Sequence, residues 1–159
     1  MPIFPLKQKP KQDYKTRPRG FGCPRDGGKR KHAGCDLYAP VGTPILSVED
    51  GEVVLGPYLF YLGTYALEVK HADGKVVRYG EIQKAADGIK VGSKVKAGQV
   101  IAYVGKLKGL NISMIHFELF SGTAKGPLTN RADKSGYSRR ADLVNPTAYL
   151  DSCTLTTTV

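Results

Sequence analysis

Ser113-Met114-Ile115-His116-Phe117-Glu118-Leu119-Phe120 is the stretch that decides the fold of this chain. Read as a β-strand, it sends Met114, His116 and Glu118 to one face and Ile115, Phe117 and Leu119 to the other. An aliphatic and aromatic back anchors a polar front, the pattern a rigid functional strand needs. Upstream, short apolar runs at 35–38, 44–48, 51–55, 64–70, 75–80 and 99–104 read as further strands. They are separated by Pro40-Val41-Gly42, Glu49-Asp50-Gly51, Ala72-Asp73-Gly74 and Lys96-Ala97-Gly98. Asp73-Gly74 suits a hairpin that joins 64–70 to 75–80. His71, beside that turn, reads as solvated surface. Many short β runs without helical periodicity predict an all-β sandwich or barrel-like sheet. Residues 121–140 read as a long polar insertion, and one short helical turn is expected after Asn145-Pro146.

A chain of 159 residues fits one domain with a substantial core. The boundaries expected are a basic, Pro-containing arm over 1–20, a main domain over 21–150 and a tail over 151–159. Of the net charge of +10, residues 1–31 contribute +8, from ten Lys or Arg against Asp13 and Asp26. So concentrated a charge suits an anionic polymer, and it equally suits a solvated tail. No apolar run is long enough for a membrane helix. The N-terminus shows no secretory h-region, which leaves an internal protein, export by another route, or a fragment. Cys23, Cys35 and Cys153 cannot all pair within the chain and form no Cys-x-x-Cys motif. Cys35 is expected to be a buried thiol, and a bridge from Cys23 to either of the others stays open.

His32-Ala33-Gly34-Cys35-Asp36 sets an imidazole and a carboxylate four residues apart, on a loop and at a strand entry. His116 can complete a set of two histidines and one carboxylate, which suits zinc with an open position for water. Such a metal would acidify the water and polarise an amide carbonyl.

The context of these residues resembles one family. Arg30-Lys31-His32-Ala33-Gly34-Cys35-Asp36-Leu37-Tyr38-Ala39-Pro40-Val41-Gly42-Thr43-Pro44 is similar to the first motif of the lysostaphin-type zinc endopeptidases. Val91-Gly92-Ser93-Lys94-Val95-Lys96-Ala97-Gly98 and the run to Gly105 resemble the glycine-punctuated segment before that family's last metal strand. Ile115-His116-Phe117-Glu118-Leu119 resembles the strand itself, and Val144-Asn145-Pro146 the closing Asn-Pro. The resemblance implies a compact antiparallel β fold with a zinc-centred groove. It implies Zn2+ held by His32, Asp36 and His116, and cleavage of peptidoglycan peptides at the periplasm or cell wall. With no signal peptide seen, delivery by a specialised secretion system or a phage particle is compatible with that reading, and a fragment of a longer protein is equally so.

Two positions depart from the family pattern. Met114 stands where the first histidine of His-x-His is usual, and Glu81, in Tyr79-Gly80-Glu81-Ile82, stands where a second catalytic histidine is usual. A thioether accepts no proton, whereas a carboxylate does, so Glu81 is the expected base for a zinc-bound water. Tyr79 is a candidate hydrogen-bond donor near the carbonyl oxygen, with core or rim packing as its alternative. Glu118 reads either as the group that orients His116 or as a solvated carboxylate. The competing function is a non-catalytic zinc module that recognises cell wall or a protein partner. Nucleic-acid binding through the arm ranks last, because aromatics between its basic residues are sparse.

Overall fold

The structure, a computed structural model, describes residues 1–156. A two-stranded ribbon, β1 (Pro24–Arg25) and β2 (Arg30–Lys31), precedes the main sheet. That nine-stranded antiparallel sheet contains β3 (Cys35–Tyr38), β4 (Pro44–Leu46), β5 (Gly51–Leu59), β6 (Tyr65–His71) and β7 (Val76–Ala85). It is completed by β8 (Lys94–Val95), β9 (Val100–Val104), β10 (Met114–Phe120) and β11 (Leu143–Val144). One helix, α1 (Thr147–Ser152), follows Asn145-Pro146.

Strand β10 is the keystone. One edge pairs with β7, and the other pairs first with β3 and then with β11. Its alternation is the one expected: Ile115, Phe117 and Leu119 join the core cluster with Leu37, Leu67, Val69 and Val77. Close packing around β10 also explains Gly34. A Cβ there would lie 2.3 Å from the Phe117 carbonyl oxygen, so only glycine lets the chain pass between His32 and Asp36.

Residues 1–20 do not run as a free arm. Phe4, Leu6 and Tyr14 are buried in the core cluster. The backbone is tied down by Ile3 N–H to Val48 O at 2.8 Å and Leu46 N–H to Pro5 O at 2.8 Å. Lys7, Lys9 and Lys11 stay exposed, so composition described the surface of this segment and missed its buried side. The expected tail is also held to Thr154, which bridges to Ile3, while its residues 157–159 lie outside the described residues. His71 is a second correction: it is buried, not solvated. It ends the same face of β6 as Leu67 and Val69, and its Nε2 accepts a hydrogen bond from the Tyr79 hydroxyl at 2.9 Å. All three cysteines are free. Among the described residues no helix is long and apolar enough to cross a membrane.

Candidate metal centre and active-site groove

Strand register brings the donors together. Asp36 and His116 are directly paired across β3 and β10, and His32 reaches in from the loop before β3. One donor atom from each lies within 4.8 Å of the other two, and all three residues are buried. His116 Nδ1 lies 2.9 Å from Asp36 Oδ1, and His32 Nε2 is 3.1 Å from the same oxygen and 3.3 Å from His116 Nδ1. The outward nitrogens are both spoken for. His32 Nδ1–H donates to Gly20 O at 2.9 Å, and His116 Nε2–H donates to Glu118 Oε2 at 2.6 Å. In the neutral rings this fixes the tautomers so that both lone pairs point inward, beside a carboxylate oxygen. Three electron-pair donors facing one point, with every outer N–H anchored, fit a zinc ion.

Charge at the site follows from burial and pairing. Burial alone would push the Asp36 carboxyl up, but hydrogen bonds from His116 and His32 outweigh it and hold the group well below the usual carboxylate range. Burial opposes charge on His116, yet the bonds to Asp36 and Glu118 raise its pKa to about 10 without metal. Glu118 is fully buried, and despite that burial the Arg78 guanidinium and the His116 bond keep it ionised. Arg78 Nη2 donates to Glu118 Oε1 at 2.9 Å, and Arg139 Nη2 to Oε2 at 3.0 Å. Of the two readings of Glu118, the orienting one is therefore the one seen. Arg139 comes from the polar insertion over 121–140, which covers this part of the strand.

Glu81 owes its place to a β-bulge. Up to Gly80, β7 pairs with β10; from Ile82 it pairs with β9 instead. On the β6 side the register shifts at the same point, between Tyr65/Ile82 and Ala66/Gly80. Glu81 is the extra residue, with φ of 63°, a conformation costly for a side chain other than glycine. The bulge turns its carboxylate into the groove lined by His32, Asp36, His116 and Met114. Gly80 serves the same wall, because a Cβ there would lie 2.7 Å from the Phe60 ring, which tilts over His116.

Glu81 is 8% exposed, and its Oε2 has no hydrogen-bond partner. Desolvation raises its pKa from 4.5 to about 7, with His116 opposing the rise. A raised folded-state pKa means that the metal-free protein loses stability as pH climbs from about 4.5 through about 7. The shift corresponds to about 3 kcal/mol. Glu81→Gln is expected to stabilise the metal-free protein by about that amount at pH 8 and by little at pH 4, read from urea melts at both values.

Tyr79 is not a groove residue. It is fully buried on the core face of β7, where its hydroxyl donates to His71 and accepts Val48 N–H at 3.1 Å. The core alternative replaces the reading of Tyr79 as a donor to substrate, because strand alternation puts it opposite Arg78 and Gly80.

Residues 30–127 match the sequence model of peptidase family M23. The match spans more than half of the chain, and the chain belongs to that family. Peptidoglycan DD-endopeptidase ShyC of Vibrio cholerae is 34% identical over 107 residues, 67% of this chain and 24% of that protein. The chain thus spans about a quarter or less of the curated relatives it matches first. The catalytic domain of the antimicrobial peptidase lysostaphin from Staphylococcus simulans shares the fold, with a TM-score of 0.62, 24% identity and coverage of 84% and 90% of the two chains. A zinc containing peptidase from Vibrio cholerae aligns with a TM-score of 0.56 and 27% identity, over 77% of this chain and 40% of that one.

Proposed function

We propose that this chain is a zinc-dependent endopeptidase that hydrolyses peptide bonds of bacterial peptidoglycan, with Glu81 as its proton-transferring group. The observation that carries the reading is the meeting, in one groove, of three convergent metal donors and a desolvated carboxylate with a free oxygen. Zinc on His32, Asp36 and His116 would supply Lewis acidity, acidifying a water and polarising the scissile carbonyl. Glu81 Oε2 takes a proton as the water oxygen bonds to the carbonyl carbon. It returns that proton to the departing nitrogen as the C–N bond breaks, leaving a carboxylate and an amine. Met114 moves no proton and forms part of the apolar wall.

Peptidoglycan as substrate is supported by the family and by what ShyC is named for. The exposed Lys7, Lys9 and Lys11 supply a cationic surface for anionic wall polymers, and the site of action is the periplasm or cell wall. The test is to incubate zinc-loaded protein with purified peptidoglycans and count new amines. Release by the loaded protein is expected, with neither stoichiometric zinc nor release from His116→Ala. Retained zinc in that variant would overturn the ligand assignment. No release from any wall type would favour the non-catalytic recognition module.

A further inference from the structure

Just past the Glu81 bulge, β7 carries a second irregularity. Ile82 pairs with Val104 and Ala85 with Ala102, so Gln83 and Lys84 together stand against the single residue Tyr103. An extra residue in one strand breaks alternation and re-aims side chains, and Gln83 and Lys84 are both exposed. They line a depression together with Tyr65, Tyr103, Lys106 and Asp87. Its volume is about 730 Å³, the size of a small-ligand site. None of its lining residues lines the metal-centre groove. Gly105, also in the lining, is buried, and a Cβ there would lie 2.8 Å from the Ile82 carbonyl oxygen. Its N–H donates to Glu81 O at 3.0 Å, so the strand that presents Glu81 to one site also supports the other.

The lining sets the chemistry of a ligand. Residues 83–108 hold six lysines and one acidic residue, Asp87, an excess that favours an anion. Lys94 and Lys96 already pair with Glu52 and Asp50. Lys84 and Lys106, the two lysines in the depression, have no ion pair or side-chain hydrogen bond among the described residues. Nor do the Gln83 amide and the hydroxyls of Tyr65 and Tyr103. Lys84 Nζ lies 5.8 Å from the centre of the Tyr65 ring, over its face. Tyr65 is half-buried and Tyr103 is 37% exposed, so each brings an apolar ring with a polar tip to the same depression. Cations, aromatic faces and free amide and hydroxyl groups together suit a sugar that carries an acid.

Resting on the peptidase reading above for the source of that sugar, we infer that the depression is a second binding site, for peptidoglycan glycan strands with free carboxylates on alternate sugars. Lys84 and Lys106 receive a carboxylate through charge-assisted hydrogen bonds. The rings of Tyr65 and Tyr103 take the apolar face of a sugar, and Gln83 and the two phenols exchange hydrogen bonds with its hydroxyl and acetamido groups. Asp87 in the same lining disfavours a strand charged at every unit, as a nucleic acid is, and tolerates one charged at every second unit. The site holds the glycan and takes no part in bond cleavage, which belongs to the groove on the other side of the Glu81 bulge.

The test titrates three probes into the zinc-loaded protein: peptide-free glycan strands of peptidoglycan, a chitin oligosaccharide of equal length, and a single-stranded oligonucleotide. The acidic glycan is expected to bind about tenfold more tightly than the neutral chitin. The double change Lys84→Ala with Lys106→Ala is expected to erase that difference, and Tyr103→Ala to weaken both sugars about tenfold. In all these proteins zinc stoichiometry, and amine release from a sugar-free wall peptide, should stay within about twofold of the parent. A protein that binds no glycan, or whose preference for it survives the double change, overturns the inference. Tighter binding of the oligonucleotide overturns it too, in favour of a nucleic-acid site. Glycan binding that depends on the lysines, in a protein that releases no amines, upholds the site and sinks the peptidase reading. Amine release without glycan binding does the reverse.

Discussion

Glu118→Ala is expected to cost about 3–5 kcal/mol of folding stability and to weaken zinc binding about 10–100-fold. Glu118 is fully buried and is the only anion in ion-pair contact with either Arg78 or Arg139 among the described residues. Arg78 is itself 3% exposed, so with the carboxylate gone its charge can be neither paired nor rehydrated. Removing one partner of such a set leaves the other's desolvation uncompensated, which is why the cost exceeds the net worth of the pairs. The same change releases His116 Nε2–H from its acceptor at 2.6 Å, freeing the ring to turn Nδ1 away from Asp36. Glu118→Gln keeps an acceptor for His116 while losing the charge. It should therefore lose stability as Glu118→Ala does, but keep more of its zinc affinity. Urea melts and competition with a chelator read the two effects separately. A Glu118→Ala protein of parental stability would show that the arginines find water.

Deleting residues 1–20 is expected to abolish both the native fold and zinc binding. Truncating Phe4 alone, fully buried against Tyr14, should cost about 3–5 kcal/mol, comparable with the whole stability of many single domains. The deletion further removes the Gly20 carbonyl that orients His32, and the Arg19 carbonyl that accepts Asp36 N–H at 3.0 Å. Two of the three candidate metal donors thus lean on a segment whose composition reads as an arm. Near-ultraviolet circular dichroism and zinc stoichiometry of the truncated chain measure the outcome. A shortened protein that folds and binds one zinc would mean that the first twenty residues only decorate the surface.

Much of the site could be read from residues alone, for a physical reason. Period-two alternation over 114–120 sets His116 against the apolar anchors Ile115 and Phe117, and the paired strand delivers Asp36 to the same point. Glu81 was reachable through the motif that surrounds it, but not its mechanism of presentation. A bulge is one residue of register, and no periodicity announces it. Which of the two readings of Tyr79 holds, donor to substrate or core packing, was hidden for the same reason: its face depends on where β7 shifts. Phe4, Leu6 and Tyr14 are too widely spaced among Lys and Pro to show a period, so their burial emerges only from tertiary packing. Arg78 and Arg139 lie 61 residues apart, and nothing in sequence says that both close on Glu118.

The most direct measurement is the rate of amine release from peptidoglycan per bound zinc, in the parent and in Glu81→Gln at equal zinc content. Proton transfer by Glu81 predicts that the variant keeps its zinc and loses about 10²–10⁴-fold in rate. A Glu81→Gln protein that releases amines at the parental rate would contradict the account, because the carboxylate held in the bulge would then have no part in the chemistry.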